Sequence, residues 1–171
     1  MRWVLSCSID RSLLKIDHYL TVKKEVYMLI GIFPVISPDL LDALFRMGHG
    51  DEIVLADSFF PGDSCNSRVI RADGIRIPAL LEGILSLINL DTMDSHPVIM
   101  MDAAEGDSLD PSVEKSYREV IDRLWPGTPP TDRIERFTFY ERAKKAYCVV
   151  MTGETVKYGN IILKKGVIPV K

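Results

Sequence analysis

The densest cluster of polar side chains in the chain is Gly48-His49-Gly50-Asp51-Glu52, between the end of a helix and the start of a strand, with Asp57 at that strand's far end. Glycines on both sides free the backbone of His49 to turn its imidazole into a cavity, and the neighbouring carboxylates can hold one tautomer and tune its proton affinity towards neutrality. In that arrangement His49 is a general acid or base. The same spacing equally describes a capped turn, with Gly48 closing a helix, His49 at the negative end of its dipole, and Asp51 and Glu52 solvated. His49, Asp51, Glu52 and Asp57 also offer metal ligands, but a second histidine at usable spacing is lacking, since His18 and His96 sit in unrelated contexts. The Gly-His-Gly turn has neither glycine-rich phosphate-binding spacing.

A second cluster, Arg136-Phe137-Thr138-Phe139-Tyr140-Glu141-Arg142, interleaves aromatic and charged side chains before a helix. Arg136 supplies donors for hydroxyl groups, and Tyr140 supplies a phenol for proton transfer. The alternative is a helix start whose aromatics pack and whose Glu141 and Lys145 form a surface pair. The third cluster, Lys157-Tyr158-Gly159-Asn160, sets a phenol and an amide at a strand edge. A plain turn with Asn160 in a left-handed conformation explains it as well.

The elements that must carry these groups read clearly from Ser37 onward. Ser37-Pro38-Asp39 is a helix start, and Leu40, Leu41, Leu44, Phe45 and Met47 follow at helical spacing until Gly48. Ile53-Val54-Leu55-Ala56, between charged ends, predicts a strand buried on both faces. Further strands are expected at 69–73, 97–101, 147–151 and 160–163. Helices are expected from Pro78 through Ile88, from Asp110-Pro111 to Leu124, and from Phe139 to Ala146. This alternation predicts an α/β class: one compact domain with a central parallel or mixed sheet covered by helices. Residues 1–27 lack turn chemistry and sustained periodicity, so they read as an N-terminal extension before a domain at 28–171, with Met28 an alternative start.

The chain of 171 residues, 47% hydrophobic and 26% charged with a formal net charge of -3, has the composition of a single globular domain. It has no basic run, so neither nucleic acid nor an anionic membrane is an expected partner. No apolar stretch approaches the roughly 18 to 20 residues that span a bilayer. Cys7, Cys65 and Cys148 are odd in number and widely spaced, which argues against a disulfide framework and for a reducing, cytoplasmic setting.

Five segments in order carry a more specific signal. They are Ile36-Ser37-Pro38-Asp39-Leu40-Leu41, Met47-Gly48-His49-Gly50-Asp51-Glu52-Ile53, Ile70-Arg71-Ala72-Asp73-Gly74, Phe139-Tyr140-Glu141-Arg142-Ala143, and Thr152-Gly153-Glu154 with Tyr158-Gly159-Asn160. Together they closely resemble the ribose pyranase and fucose mutarotase family (RbsD/FucU), and the Phe-Tyr-Glu-Arg segment is most similar to its L-fucose mutarotase branch. The resemblance runs from about Met28 to the C-terminus. It implies a cofactor-independent isomerase that interconverts the α and β anomers of L-fucose, with the pyranose and furanose forms of D-ribose as an extension. It also implies that His49 stands at the family's proton donor and Tyr140 at a catalytic, substrate-contacting tyrosine. By the same resemblance Asp57, Asp73, Arg136, Tyr158 and Asn160 match substrate-binding positions. Family members form rings, often decamers, with sites near subunit borders. Phe59 departs from the pattern, standing where many relatives carry His or Asn. Two other readings stay open on the sequence: a non-catalytic monosaccharide-binding accessory protein of sugar uptake, and a metal-dependent hydrolase.

Overall fold

Capping side chains set the helix boundaries. The computed structural model describes residues 29–167, so the expectations for residues 1–27 and Met28 lie outside the described residues. Ser37 accepts the Leu40 N–H at 3.2 Å, and the first helix, α1 (Pro38–Arg46), follows with Met47 rather than Gly48 as its C-cap. Then come β1 (Glu52–Ala56), a short α2 (Gly62–Cys65), β2 (Val69–Ala72), α3 (Ile77–Leu85), β3 (Val98–Met101) and α4 (Pro111–Leu124). The chain continues through β4 (Asp132–Ile134), α5 (Arg136–Lys145), β5 (Cys148–Thr152) and β6 (Ile161–Lys164). Asp110 caps α4 by accepting the Ser112 N–H at 2.9 Å.

Helix α5 starts three residues earlier than its apolar pattern suggests. Glu135 accepts the N–H groups of Phe137 at 2.7 Å and Thr138 at 3.1 Å, so the helix already begins at Arg136. Arg136 and Tyr140 are therefore four apart on one helix and share a face.

The six strands form one mixed sheet in the order β2-β5-β1-β6-β3-β4. Strand β6 alone runs antiparallel, wedged between β1 and β3, while β1–β5, β2–β5 and β3–β4 pair in parallel. Ile53, Leu55, Met100, Cys148, Val150, Ile161 and Leu163 face a core with α1, α3 and α4. Their alternates Val54, Ala56, Ile99, Met101, Val149, Met151 and Ile162 face a smaller core containing Phe60, Phe139 and Ala143. This period-two division buries both faces of the central strands, as the continuous apolar runs require. Phe139 is fully buried and anchors α5 against the sheet; truncating such a ring to Ala costs about 3–5 kcal/mol. The body of the fold thus presents two ends, where strands β1, β3 and β5 stop and where they start.

Candidate functional site

Where β1 ends and β6 begins, the two strands are clamped by a reciprocal pair of hydrogen bonds. The Asp57 N–H donates to Asn160 Oδ1 at 2.8 Å, and Asn160 Nδ2 donates to Asp57 Oδ2 at 2.7 Å. The Phe59 N–H donates to Asp57 Oδ1 at 3.0 Å. Only 5% of Asp57 and 3% of Asn160 is exposed, so this polar pair forms the floor of a cleft, not a surface contact. A cavity of about 380 Å³ opens above it, walled by Phe59, Phe60 and Met101, by Arg136 and Tyr140 from the first turns of α5, and by Lys157 and Tyr158. Its size suits a monosaccharide, and its walls combine apolar surface with a few converging polar groups.

The electrostatics follow from burial. Desolvation raises the Asp57 pKa, against the hydrogen bonds from Phe59, Asn160 and Phe60 that favour the charged form. Burial likewise raises the Tyr140 phenol, with the Arg136 charge opposing it. Tyr140 therefore stays protonated at neutral pH and presents an O–H. Its ring is fixed edge-on to Phe60, centroids 5.3 Å apart. Arg136 lies over the Phe137 ring at 4.7 Å, and its buried Nε has no hydrogen-bond partner within the protein. A buried donor without an acceptor is costly.

Tyr158 adopts φ 61°, the one left-handed non-glycine residue among those described. The sequence suggested Asn160 for that conformation; the strain falls two residues earlier because Asn160 is held in the clamp with Asp57. Tyr158 donates its O–H to Asp107 Oδ2 at 2.9 Å, and Lys157 Nζ stands 3.1 Å from the same oxygen. With the Ser108 N–H as the leading contributor, these bonds hold the Asp107 carboxyl down at about 2. Asp107, which joins the site from the loop after β3, carried no signal in the sequence, being 51 residues from Tyr158.

Asp57, Arg136, Tyr140, Tyr158 and Asn160 thus line one cavity, and the other two candidates, Asp73 and His49, do not. Asp73 is exposed in the turn after β2 and paired with Arg71 at 2.6 Å, outside the cavity. That pairing lowers its pKa. His49 precedes β1 whereas Asp57 follows it, so the two lie at opposite ends of the sheet, on the order of 20 Å apart along an extended strand. Around His49, Gly50 takes φ +84°, as only glycine does freely, while Gly48 donates its N–H to Asp51 Oδ2 at 2.7 Å. Half of the imidazole is exposed, and Nε2 stands 3.3 Å from Asp91 Oδ2. Asp51 is thus a turn cap, and Glu52 is bound to Arg142 at 2.5–3.0 Å. The candidate metal ligands do not converge: among the described residues no group of three or more His, Cys, Asp or Glu is placed to hold an ion.

Comparison with known proteins places this geometry in a wider set. Residues 30–168 match the RbsD / FucU transport protein family. A protein named L-fucose mutarotase from Histophilus somni (strain 2336) is 59% identical over 144 residues, which is 84% of this chain and all of the relative. One of the same name from Haemophilus influenzae (strain 86-028NP) is 56% identical over 143 residues, 84% of this chain and 99% of that one. Among solved structures, the fucose mutarotase of Streptococcus pneumoniae in complex with L-fucose superposes with a TM-score of 0.78 at 47% identity, covering 82% of this chain and 100% of that one. Bacillus subtilis RbsD complexed with D-ribose, at 22% identity and a TM-score of 0.62 over 78% of this chain and 95% of that one, shares the fold.

Proposed function

This chain belongs to the RbsD/FucU family, and from that premise we propose that residues 28–171 interconvert the α and β anomers of L-fucose by acid/base-catalysed ring opening and closure. The observation that carries this reading is the sugar-sized cavity floored by the buried Asp57–Asn160 pair, with Arg136 and Tyr140 on its wall. Proteins 56–59% identical to this chain bear the name of that activity.

Opening a pyranose breaks the C1–O5 bond, whose electrons pass to the ring oxygen. A proton must reach that oxygen as another leaves the anomeric hydroxyl. The free aldehyde then turns about C1–C2, and closure on its other face returns both protons. Asp57 Oδ1 and Oδ2 each keep a lone pair for a sugar hydroxyl, Arg136 donates to an oxygen, and Tyr158 and Asn160 border the same space. These groups distinguish stereoisomers, because a misplaced hydroxyl leaves buried polar atoms unmatched. Asp73 joins the binding set only if the assembled protein brings it to a cavity. Tyr140, neutral at pH 7, exchanges a proton with one sugar oxygen, and His49 exchanges one with the other.

His49 cannot reach the cavity of its own chain, so a second copy supplies it. We take the assembly to be a closed ring of copies, a decamer, in which the His49 end of one subunit meets the Asp57 end of the next. The exposed Leu29, Ile30, Phe45, Phe59 and Phe137 side chains provide apolar surface for such contacts. A cytoplasmic setting suits the free thiols of Cys65 and Cys148; among the described residues no helix is long and apolar enough to cross a membrane. The test is a magnetisation-exchange NMR spectrum of L-fucose with and without the protein. Accelerated exchange between anomer signals is expected, and D-ribose run in parallel probes the extension to pyranose–furanose exchange. Binding without acceleration would instead indicate a sugar-binding accessory protein, which needs neither His49 nor Tyr140 as a proton carrier.

A further inference from the structure

Two phenols line the cavity, and they meet it differently. Tyr140 presents its O–H to the space, whereas Tyr158 has already given its hydrogen to Asp107, whose Oδ2 accepts it at 2.9 Å. Asp107 is itself held on several sides. Its N–H donates to the Ala104 carbonyl at 2.9 Å across a turn in which Gly106 takes φ +83°. Its Oδ1 accepts the Ser108 N–H at 2.9 Å, and its Oδ2 also accepts from Lys157 Nζ at 3.1 Å. With its carboxyl held at about 2, Asp107 carries no proton of its own at neutral pH, so the shared hydrogen belongs to the tyrosine. The backbone of Tyr158 is fixed as well. The neighbouring Gly159 carbonyl accepts the O–H of buried Tyr117 at 2.9 Å, and a Cβ at Gly159 would lie 3.0 Å from the Val156 oxygen and 3.2 Å from the Tyr117 oxygen. These contacts and the Asn160 clamp hold the left-handed backbone of Tyr158, while Asp107 holds its phenol.

We propose that Asp107 is a positioning residue that fixes Tyr158 as a hydrogen-bond acceptor, so that the cavity demands a donating sugar hydroxyl at that wall. The inference rests on the reading of the cavity as an L-fucose site. A phenol has one hydrogen, and once that hydrogen is committed to a carboxylate only lone pairs remain for a ligand. A hydrogen bond to an ionised acceptor is roughly twice as strong as a neutral one, so a sugar oxygen does not compete for it. The polar walls then divide into acceptors, Asp57 and Tyr158, and donors, Arg136 and Tyr140. A hydroxyl placed against Tyr158 is recognised by its hydrogen. Polarity of this kind discriminates more sharply than shape, because a ligand group that cannot donate leaves the enclosed phenolic oxygen unmatched.

The Ser108 N–H makes the test selective. In Asp107→Asn it still requires an acceptor, so the amide oxygen stays there and the NH₂ group turns to Tyr158, which frees the phenolic hydrogen for the cavity. The ligands are L-fucose and its analogues with the hydroxyl at C2, C3 or C4 replaced by fluorine, which accepts but does not donate. Their affinities for the intact wild-type protein, D107N and Y158F are measured by ligand-detected NMR. In the wild type one analogue should bind about tenfold more weakly than L-fucose, and that penalty should shrink to about twofold in D107N and in Y158F. Affinity for L-fucose itself should fall about tenfold in D107N, while the anomer exchange rate at saturation stays within about twofold of the wild type. A merely loosened loop would weaken L-fucose and every analogue alike. The absence of any fluorine penalty in the wild type therefore overturns the proposal without recourse to a variant, and so does a penalty that D107N or Y158F retains in full. Wild-type protein that neither binds L-fucose nor speeds its anomer exchange removes the reading of the cavity instead, so the two failures are told apart.

Discussion

At the C-terminal end of β1 the Asp57 carboxylate is almost entirely out of water, held by an amide and a backbone N–H at the bottom of a cleft. At the N-terminal end the imidazole of His49 keeps 52% of its surface in solvent and has one carboxylate partner. The first end is a sugar-sized pocket lined by polar groups, in which the proposed function uses the Tyr140 phenol, one of two with that of Tyr158, for proton transfer. The second, in the proposed function, is a proton carrier that acts in the cavity of another copy. A strand cannot fold its two ends together, so in the proposed function the chemistry that each end lacks comes from another copy. On that reading the fold separates recognition from half of the catalysis, and an assembly of copies would rejoin them.

The separation is broken most severely by removing the proton carrier. His49→Gln, which keeps a polar side chain of similar reach, should lower anomer exchange by about 10²-fold or more, while L-fucose binding, measured by calorimetry, changes little. Loss of binding on the same scale would assign His49 to recognition instead. A smaller loss, about tenfold, is expected for Tyr140→Phe, since water can take over part of the work of the phenol. The two losses should fall short of multiplying in the double variant if both groups act on one opening step.

Acid sharpens the contrast between buried and exposed carboxylates without altering the chain. Burial raises Asp57, so the folded protein takes up that proton before the unfolded chain would; acidification through this range costs no stability on its account. Asp107 is held at about 2, so its contribution is fully present above the ordinary carboxylate pKa and is lost as the pH falls from there through about 2. A ¹³C carboxyl titration should therefore find Asp57 above the usual aspartate range and Asp107 well below it. The opposite order would mean that the floor of the cleft is wet.

Much of this architecture was legible in the sequence, for identifiable reasons. Ser37-Pro38 and Asp110-Pro111 signal their helix starts through side-chain caps, and the structure has both. The apolar run after Glu52 is the central strand, buried on both faces. Strand β4 was not foreseen because Asp132-Arg133-Ile134 is three half-buried residues at a sheet edge with no apolar pattern. Nor was α2, a single turn of four residues. Antiparallel insertion of β6 between β1 and β3 left no local mark, and it is this that brings Asn160 to Asp57 across 103 residues. Asp57, Arg136, Tyr140, Tyr158 and Asn160 were identifiable as candidates. The separation of Asp57 from His49 was legible too, since the two flank one strand, but the gathering of Arg136, Tyr140, Tyr158 and Asn160 at the Asp57 end was not, since nothing in a string of residues says which end of a strand a neighbour approaches.

The proposed site joins two half-sites from different copies, and mixing two disabled proteins tests that directly. His49→Gln lacks the proton carrier but keeps the cleft, whereas Asp57→Asn disturbs the cleft but keeps the carrier. Each should be nearly inactive alone in magnetisation-exchange NMR of L-fucose. Dissociated, mixed and reassembled at equal ratio, they should recover about one quarter of the wild-type rate, because in a randomly filled ring that fraction of borders pairs an intact cleft with an intact histidine. Mixed rings that form yet remain as inactive as their parents would show that each site is built within one chain.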